Sequence, residues 1–417
     1  MTAPQVFVIV GAGLAAAKAA EALRSEGFEG RVIVMGEEIE RPYDRPPLSK
    51  DYLQDKSEKE KIYVHPKGWY AEHDVDLRLG TRVTAIDRAA HEVTADSGER
   101  IRYHKLLLAT GSSPRRLHVP GADLDRVLYL RRVEDCEAMK DAFATARRVV
   151  VIGAGWIGLE TSAAARAAGC EVTVVEVAEL PLLAVLGREV AEIYAALHRD
   201  HGVELRLGAG VAEITGVDNR ASEVRLADAS VVEADAIVVG VGITPNTGLA
   251  EAAGLSVTNG IVVDEHLATT DSDVFAAGDV ANAYYPHLGT HLRLEHWSAA
   301  LNQGPVAAAG MLGRTAIYDR VPYFFSDQYD MGMEYSGHVE GGRYDDVVFR
   351  GDVAKGEFIV FWMGGGRVLA GMNVNIWDAT DAIQALVRSG QPVDPAALAD
   401  PEVFLEDVKG RAPEGAP

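Results

Sequence analysis

The stretch that decides the fold is VIVGAGLAA, residues 8–16, in which an apolar run ends at two closely spaced glycines. An alanine-rich segment with helical patterning follows, so the sequence predicts a strand, a tight turn and a helix. Gly11 allows the turn, Gly13 lets a pyrophosphate approach the backbone, and Ala16 lets the helix pack on the strand. The positive end of that helix would then face phosphate.

A second copy of this pattern, VVVIGAGWIG, lies at residues 149–158. After each copy a predicted strand ends in a carboxylate, Glu37 or Glu176, that can accept hydrogen bonds from a ribose. A single copy could be no more than a glycine turn in an ordinary α/β unit. Two complete copies favour two dinucleotides, one held permanently and one exchanged.

Length, composition and charge set limits on the kind of protein. A chain of 417 residues with 48% hydrophobic residues predicts two or three domains with sizeable cores. Without a long apolar stretch or a basic leader, we expect a soluble cytoplasmic protein. The formal net charge of −22 argues against nucleic acid and anionic membranes as partners.

The two cysteines, Cys136 and Cys170, are widely spaced and form no C-x-x-C pair. An iron–sulfur cluster needs about four thiolate ligands, so we expect no metal centre within this chain. A disulfide reductase needs a thiol pair beside its flavin, which this spacing does not provide. Cys170 precedes an apolar strand, and we interpret it as a buried core thiol.

Three further segments have recognisable patterns. The three prolines of ERPYDRPPLSK, residues 40–50, predict a stiff extended loop, which could equally be an inert surface loop. KLLLATG, residues 105–111, predicts a buried strand that ends in a turn. DVFAAGDVA, residues 273–281, predicts another strand, followed by a Gly-Asp turn.

Taken together, the two glycine motifs, RPPLSK, ATG and GD resemble the FAD-dependent pyridine-nucleotide reductases. Among these, the chain is most similar to the ferredoxin reductases of bacterial oxygenase systems, over nearly its whole length. The resemblance implies an α/β fold with two Rossmann-like dinucleotide-binding domains, as in glutathione reductase, and a C-terminal α+β domain. It places an FAD-binding domain at 1–113 and 246–321, an NAD-binding domain at 114–245 and the C-terminal domain at 322–417.

The resemblance also assigns cofactor contacts. Those expected for FAD are Gly11, Gly13, Leu14, Ala15, Ala16, Glu37, Arg45, Pro46, Lys50, Val83, Ala109, Thr110, Gly111, Arg131, Gly278, Asp279, Glu295, His296 and Trp297. Those expected for NADH are Gly153, Gly155, Trp156, Ile157, Gly158, Glu160, Glu176 and Gly242. Glu176 favours NADH over NADPH, because a 2′-phosphate would meet a carboxylate there.

Three of these residues are expected to position the flavin ring as catalytic groups. The resemblance pairs Lys50 with Glu160, and such a pair could fix the ring edge. Glu160 could instead be an acid that only satisfies a helix N-terminus. Trp297 is expected as an aromatic wall beside the ring, with a core tryptophan as the alternative. Gly242 could let the nucleotide pass close or simply form a turn between domains.

In the C-terminal region the sequence predicts strands followed by a helix. Apolar runs predict antiparallel strands at 347–349 and 358–362, a helix at 378–387 and a disordered tail at 410–417. Related chains often have tryptophan where this chain has Phe325, which leaves an electron-relay role for that ring in doubt.

The resemblance implies electron transfer from NADH through FAD to a small [2Fe-2S] ferredoxin that feeds a haem monooxygenase or a ring-hydroxylating dioxygenase. The chain would be a monomer or a homodimer. An acidic ferredoxin would need a local basic patch, for which Arg293, Arg314 and Lys355 are candidates. Two alternatives remain: an NADH-sensing module like the apoptosis-inducing factor, and a reductase of another acceptor such as rubredoxin or a quinone-like molecule.

Overall fold

The strands and helices are described for residues 4–339 and 342–408 of a computed structural model, so the expected disorder at 410–417 lies outside the described residues. The strands, in chain order, are β1 Val6–Val10, β2 Arg31–Met35, β3 Val75–Arg78, β4 Val83–Asp87, β5 Glu92–Ala95, β6 Arg100–Arg102, β7 Lys105–Leu108, β8 Ser112–Pro114, β9 Val127–Leu128, β10 Arg148–Ile152, β11 Glu171–Glu176, β12 Val203–Leu207, β13 Val211–Val217, β14 Arg220–Leu226, β15 Val231–Glu233, β16 Ala236–Val239, β17 Ile243–Pro245, β18 Ile261–Val263, β19 Val274–Ala276, β20 Ala281–Tyr285, β21 Thr290–Leu292, β22 Tyr323–Gln328, β23 Met331–Gly337, β24 Asp346–Asp352, β25 Glu357–Gly364 and β26 Arg367–Val374. The α-helices are α1 Leu14–Ser25, α2 Trp69–Glu72, α3 Val133–Thr145, α4 Trp156–Ala167, α5 Leu183–Asp200, α6 Gly248–Ala252, α7 Trp297–Met311, α8 Thr380–Ser389 and α9 Pro395–Ala399. Across the same residues, none of these helices is long and apolar enough to cross a membrane.

The described chain divides into two units. Unit 1 comprises residues 4–46, 58–113 and 243–320. Unit 2 comprises residues 47–57, 114–242 and 321–408. The short segment 47–57 therefore groups with the second glycine motif, and the C-terminal region belongs to the same unit.

Unit 1 is built on a parallel sheet with the strand order β3-β2-β1-β7-β19. The apolar run of the first glycine motif is the central strand β1, whose Val8 and Ile9 are fully buried. A central strand of a doubly wound sheet is covered on both faces, which explains the continuous apolar run. The order matches the Rossmann arrangement and puts the glycine turn at the carboxyl edge of the sheet.

Unit 2 repeats this plan with a second parallel sheet of order β12-β11-β10-β16-β9. The second glycine motif follows its central strand, β10. A separate antiparallel sheet, β22-β23-β26-β25-β24, forms the C-terminal part of the unit. The α/β fold with two Rossmann-like sheets and a C-terminal α+β region is therefore confirmed.

Two local predictions need correction. The helix expected at 378–387 begins at Thr380, because Asp378 has a φ of +66°, which no right-handed helix admits. The loop at 40–50 is not extended throughout, since Pro46–Ser49 forms a 3-10 turn. The fixed φ of proline also suits a helical turn, and the carbonyl of Pro47 accepts the amides of Lys50 and Tyr52.

Candidate active site

The first glycine turn, in unit 1, requires glycine for two different reasons. Gly11 has a φ of +109°, and a Cβ there would lie 2.0 Å from the carbonyl oxygen of Ala109. Gly13 has an ordinary φ, and a Cβ there would meet no atom within 4 Å. Packing therefore requires Gly11, whereas the open space at Gly13 indicates room for a ligand.

The start of α1 is suited to binding an anion. The helix begins at Leu14, its cap residue Gly13 offers no side-chain hydrogen bond, and its first turn contains no acidic residue. Ala15 and Ala16 are buried, so their backbone is held firmly against the sheet. An uncapped, positive helix end favours a phosphate group.

The ATG turn is fixed by reciprocal hydrogen bonds. The Thr110 hydroxyl donates to the carbonyl of Asn246 at 2.8 Å, and the Asn246 side-chain amide donates to the carbonyl of Thr110 at 2.8 Å. Gly111 has a φ of +64°, in the left-handed region. Ala109, before the turn, is the residue whose carbonyl faces Gly11, so the ATG turn and the first glycine turn are in contact.

The Gly-Asp turn lies beside the same helix start. A Cβ on Gly278 would be 3.3 Å from the Cβ of Ala15. The amide of Gly278 donates to Gln303 Oε1 at 2.8 Å, and Ser112 donates to Asp279 Oδ2 at 2.8 Å. Unit 1 thus brings together motifs that are far apart in the sequence.

The remaining unit 1 candidates flank these turns. Trp297 is half-buried, and its indole N–H donates to Asp44 Oδ1 at 2.7 Å, so it is not a fully buried core residue. Burial raises the pKa of Asp44, although this hydrogen bond lowers it. His296 is the cap residue of α7, and Glu295 forms a 2.6 Å ion pair with Arg293.

The loop residues also have charged partners. Arg45 pairs with Glu38 at 2.9 Å, immediately before Pro46. Glu37, just beyond β2, lies 3.8 Å from Arg82, and Val83 is buried. Unit 1 therefore offers an anion-binding helix start, an open glycine and acidic side chains beyond the strands. This set of donors and acceptors fits a dinucleotide such as FAD.

The second glycine turn, in unit 2, has the same geometry. Gly153 has a φ of +100°, and a Cβ there would lie 2.4 Å from the carbonyl oxygen of Gly240. Gly158 needs to be glycine, because its Cβ would be 2.0 Å from the carbonyl oxygen of Gly153. A Cβ on Gly155 would again meet nothing within 4 Å. This turn likewise leaves open space at the middle glycine and fits a second dinucleotide.

Glu176 is anchored at the edge of this turn. One carboxylate oxygen accepts the amide of Ala154 at 2.6 Å, and the other accepts the amide of Ala178 at 2.8 Å. The neighbouring Val177 is 75% exposed, which leaves apolar surface beside the carboxylate. A fixed negative charge favours a ribose with a free 2′-hydroxyl over a 2′-phosphate.

The other candidate cofactor contacts in unit 2 are Trp156, Ile157, Gly242 and Arg131. Trp156 packs edge-on against Phe324, with ring centroids 5.1 Å apart, while Ile157 is 41% exposed. Gly242 has a φ of +97°, and its carbonyl accepts the amide of Arg115 at 2.9 Å. Arg131, expected as an FAD contact, belongs to unit 2, where its amide donates to Asp135 at 2.9 Å.

Lys50 and Glu160 form a buried ion pair in unit 2. Lys50 Nζ lies 2.7 Å from Glu160 Oε1, and the side chain of Glu160 is 3% exposed. The alternative of a helix-terminal acid is wrong, because α4 begins at Trp156 and its first turn contains no acid. Lys50 also lies over the ring of Phe325, 5.4 Å from its centroid.

Sequence reasoning missed the serines that hold this pair. Ser49 donates to Glu160 Oε2, and Ser326 donates to Glu160 Oε1 at 2.7 Å. Ser326 and Gln328 are buried on β22 with the exposed Asp327 between them, but YFFSDQ shows no apolar–polar alternation that would have placed them inside. A polar residue at an inward position of a strand requires a partner.

Both cysteines are buried thiols. Cys136 is 0% and Cys170 1% exposed. Burial raises the pKa of Cys136 to about 12 and also raises that of Cys170. Both shifts disfavour the thiolate, so neither cysteine has the character of a reactive thiol.

The three basic residues considered for docking differ in exposure. Arg293 is 7% exposed at its side chain and paired with Glu295, so it offers little charge to a partner. Arg314 pairs with Glu26, and Lys355 lies 3.2 Å from Asp352, but their side chains are 50% and 73% exposed. Exposed ion pairs of this kind are weak, so Arg314 and Lys355 stay candidates for docking.

Comparison with known proteins gives consistent matches along the chain. Residues 6–304 match the family described as pyridine nucleotide-disulphide oxidoreductase, and residues 323–409 match the reductase C-terminal family. The ferredoxin–NAD(+) reductase component of the anthranilate 1,2-dioxygenase system from Burkholderia cepacia is 42% identical, over 96% of this chain and 98% of that protein. Rhodocoxin reductase from Rhodococcus erythropolis is 39% identical, over 96% of this chain and 93% of that protein. A chain in the crystal structure of the covalent putidaredoxin reductase–putidaredoxin complex matches with a TM-score of 0.93 and 36% identity, covering 97% of this chain and 98% of that one.

Proposed function

Because the chain belongs to the pyridine nucleotide-disulphide oxidoreductase family and ends in a reductase C-terminal domain, we propose that it is an FAD-dependent NADH:ferredoxin reductase. The observation that carries this proposal is the pair of open glycine turns, at Gly13 and Gly155, in a chain whose thiols are both buried. Two dinucleotides can bind, and no thiol of this chain is available to store the electrons. The electrons must therefore leave to an external acceptor.

FAD is assigned to the first turn, with residues 1–113 and 246–321 as its domain. The amides at the start of α1 take the pyrophosphate, and Glu37 and Asp279 take hydroxyl groups. The remaining residues assigned to FAD are Arg45, Pro46, Lys50, Val83, the ATG turn, Arg131 and residues 295–297. The close approach of Gly11 to Ala109 and of Gly278 to Ala15 supports a preformed cradle.

NADH is assigned to the second turn, with residues 114–245 as its domain and 322–417 as the C-terminal domain. Gly155 leaves room for the pyrophosphate, and Glu176 accepts hydrogen bonds from the adenine-side ribose. The remaining contacts are Gly153, Trp156, Ile157, Gly158, Glu160 and Gly242. The two amides that hold Glu176 support NADH as the donor, because they fix a negative charge where NADPH would carry a phosphate.

Bound FAD supplies the redox chemistry, accepting a hydride from nicotinamide and releasing its electrons singly. The protein's part is to hold the reactants in place rather than to transfer protons. Lys50 and Glu160 act as a fixed charge pair, and Trp297, held by Asp44, acts as an aromatic wall. None of these groups needs to change its protonation state.

The partner is a small [2Fe-2S] ferredoxin that passes electrons to a haem monooxygenase or a ring-hydroxylating dioxygenase. The names of the relatives support this class of acceptor. We place the reaction in the cytoplasm, with the enzyme as a monomer or homodimer. The ferredoxin and the oxygenase are left open at the level of the individual protein.

The test is a reductive titration followed by an acceptor screen. NADH should bleach the flavin absorbance of the purified protein at far lower concentration than NADPH does. A [2Fe-2S] ferredoxin should then accelerate NADH oxidation, followed through cytochrome c reduction, more than rubredoxin or a quinone does. Purified protein that binds no FAD would refute the proposal. A long-lived reduced flavin with a change in oligomer size and no acceleration by ferredoxin would point to an NADH sensor.

A further inference from the structure

The Lys50–Glu160 pair is one end of a longer hydrogen-bonded chain within unit 2. Glu160 Oε1 accepts both Lys50 Nζ and Ser326 Oγ, each at 2.7 Å, and Oε2 accepts the hydroxyl of Ser49. Three donors from two segments, residues 49–50 and β22, therefore fix the orientation of one carboxylate. Removing any one donor would let the carboxylate rotate or tilt away from Lys50.

The chain continues from Ser326 along β22 and onto α5. Gln328 Nε2 donates to Ser326 Oγ at 3.1 Å, and Gln328 Oε1 accepts from His198 Nε2 at 2.8 Å. The hydroxyl of Tyr329 lies 3.3 Å from His198 Nδ1 and can donate to it. Each member donates to the next, in one direction, from Tyr329 to Glu160.

Burial stabilises this order of donors and acceptors, because each buried polar atom needs a partner. Ser326, Gln328 and His198 are exposed by 2%, 1% and 0% respectively, and Glu160 by 3%. A buried polar atom that loses its partner costs free energy, since water cannot replace the partner. The amide of Gln328 cannot flip without breaking both of its bonds, because its oxygen faces a donor and its nitrogen faces an acceptor.

The chain is suited to holding groups in place and not to moving protons. Burial raises the pKa of Tyr329 far above neutral, and burial lowers that of His198 to about 4, so both are neutral at pH 7. The side-chain amide of Gln328 interrupts any proton path between them and the carboxylate. What the chain can transmit is geometry: the position of the Ser326 hydroxyl, and hence of Glu160.

We propose that Ser326 and Gln328, anchored by His198, are positioning residues that hold the Glu160 carboxylate in register with Lys50. This inference rests on the proposed function, in which the Lys50–Glu160 pair orients the flavin ring for hydride transfer. Neither Ser326 nor Gln328 touches a reacting atom in this role. Their effect reaches the reaction only through the ion pair.

The chain contains a matched control for this proposal. In the same unit, Gln384 Nε2 donates to Ser336 Oγ at 3.2 Å, and Ser336 is 2% exposed. Among the residues that the structure describes, this second glutamine–serine pair makes no hydrogen bond with Glu160. Comparing Ser326→Ala with Ser336→Ala, and Gln328→Leu with Gln384→Leu, separates loss of a buried hydrogen bond from loss of positioning.

The first readout is the pre-steady-state reduction of bound flavin by NADH. Ser326→Ala should lower the limiting rate about tenfold, as expected for one lost hydrogen bond to a charged group. Gln328→Leu removes hydrogen bonds to neutral groups and should lower the rate about three- to tenfold. In both variants the Kd for NADH should change less than about twofold. Ser336→Ala and Gln384→Leu should leave the limiting rate within about twofold of the parent. Equal effects in both pairs would overturn the proposal.

The second readout needs no flavin chemistry. Acetic anhydride labelling of Lys50, measured by peptide mass spectrometry on FAD-free and FAD-loaded protein, reports whether its amine is still held by Glu160. Labelling relative to Lys105, which pairs with Asp273 in unit 1 at 2.7 Å, should rise several-fold in Ser326→Ala and not in Ser336→Ala. Unchanged Lys50 labelling would refute the positioning role even if Gln328→Leu folds poorly. If the parent protein takes up no FAD, the proposed function fails, while this labelling still tests the network.

Discussion

At the scale of single residues, the charges that matter are held by backbone amides or buried partners. Glu176 receives two backbone N–H groups, so its position is set by the glycine turn itself. Glu160 is set by three side chains from other segments. The first kind of site follows from local sequence, and the second requires the folded unit.

The role of Glu176 gives the first prediction. Glu176→Ala should raise the KM for NADH about 10- to 100-fold, the effect of losing a charge-assisted hydrogen bond, and should reduce the preference for NADH over NADPH. Steady-state kinetics with both nucleotides measure this. Glu179→Ala is the control, because Glu179 is 72% exposed and pairs with Arg188 at the surface. If the ratio of kcat/KM for NADH to kcat/KM for NADPH is unchanged, Glu176 does not bind the ribose.

The second prediction concerns His198. Burial lowers its pKa from the ordinary 6.5 to about 4, so the unfolded chain binds a proton that the folded chain resists. Its contribution to stability is therefore complete above the unfolded pKa and is lost as the pH falls toward 4. Between pH 7.5 and pH 5.5 the expected loss is on the order of 1 kcal/mol.

Urea unfolding followed by circular dichroism at pH 7.5 and pH 5.5 tests this. His198→Gln should be less stable at pH 7.5 but should lose less stability than the parent on acidification. The exposed His118 provides the control, and His118→Gln should keep the parental pH dependence. The same pH dependence in His198→Gln and in the parent would show that His198 is not the group responsible.

At the scale of elements, α1 and α4 start in the same way. Each begins directly after an uncapped glycine, on a turn closed by a glycine with positive φ. The helix ends are therefore left for ligands, at the cost of capping hydrogen bonds that a serine or aspartate would make. Phosphate groups of bound dinucleotides would complete both helix starts.

The third prediction exploits the open space at the two middle glycines. Gly13→Ala and Gly155→Ala introduce a methyl group that meets no protein atom within 4 Å, so both variants should fold normally. Gly13→Ala should purify with little FAD, whereas Gly155→Ala should keep its FAD and show a KM for NADH raised about tenfold or more. Flavin absorbance and steady-state kinetics distinguish the two. Retention of full FAD by Gly13→Ala would contradict the assignment of the first turn.

The long helix α5 shows an element shaped by its surroundings. Gly187 has a φ of +75° inside it and kinks the chain. The freed carbonyl of Leu186 accepts the indole N–H of Trp362 at 2.9 Å. A strand of the C-terminal sheet thus supplies the hydrogen bond that the kink removes, which no local pattern reveals.

At the scale of the whole molecule, the fold buries both thiols. A reductase that stored electrons on sulfur would need an exposed, low-pKa thiol, and burial has the opposite effect on both cysteines. Of the three basic positions first considered for an acidic ferredoxin, Arg293 has a buried side chain, whereas Arg314 and Lys355 are exposed.

The fourth prediction follows from the buried thiols. The double variant Cys136→Ala, Cys170→Ala should be less stable by about 1–3 kcal/mol, because two core side chains become smaller. Its ferredoxin-dependent turnover should stay within about twofold of the parent at a temperature where both are folded. Turnover and thermal unfolding measured on the same preparation separate the two effects. Loss of turnover in a folded double variant would mean that a thiol carries electrons.

The sequence by itself determined both glycine turns, their strands and helices, the acid after each second strand and the absence of a paired thiol. These features are local, because a tight turn, a buried strand and a helix start each impose their own residue types within about ten positions. Only the tertiary structure decided how Glu160 is held, that Arg293 is buried, and that residues 47–57 group with unit 2. The partners of Glu160 lie more than a hundred residues away, and all three outcomes are fixed by packing and by the need of buried polar atoms for partners.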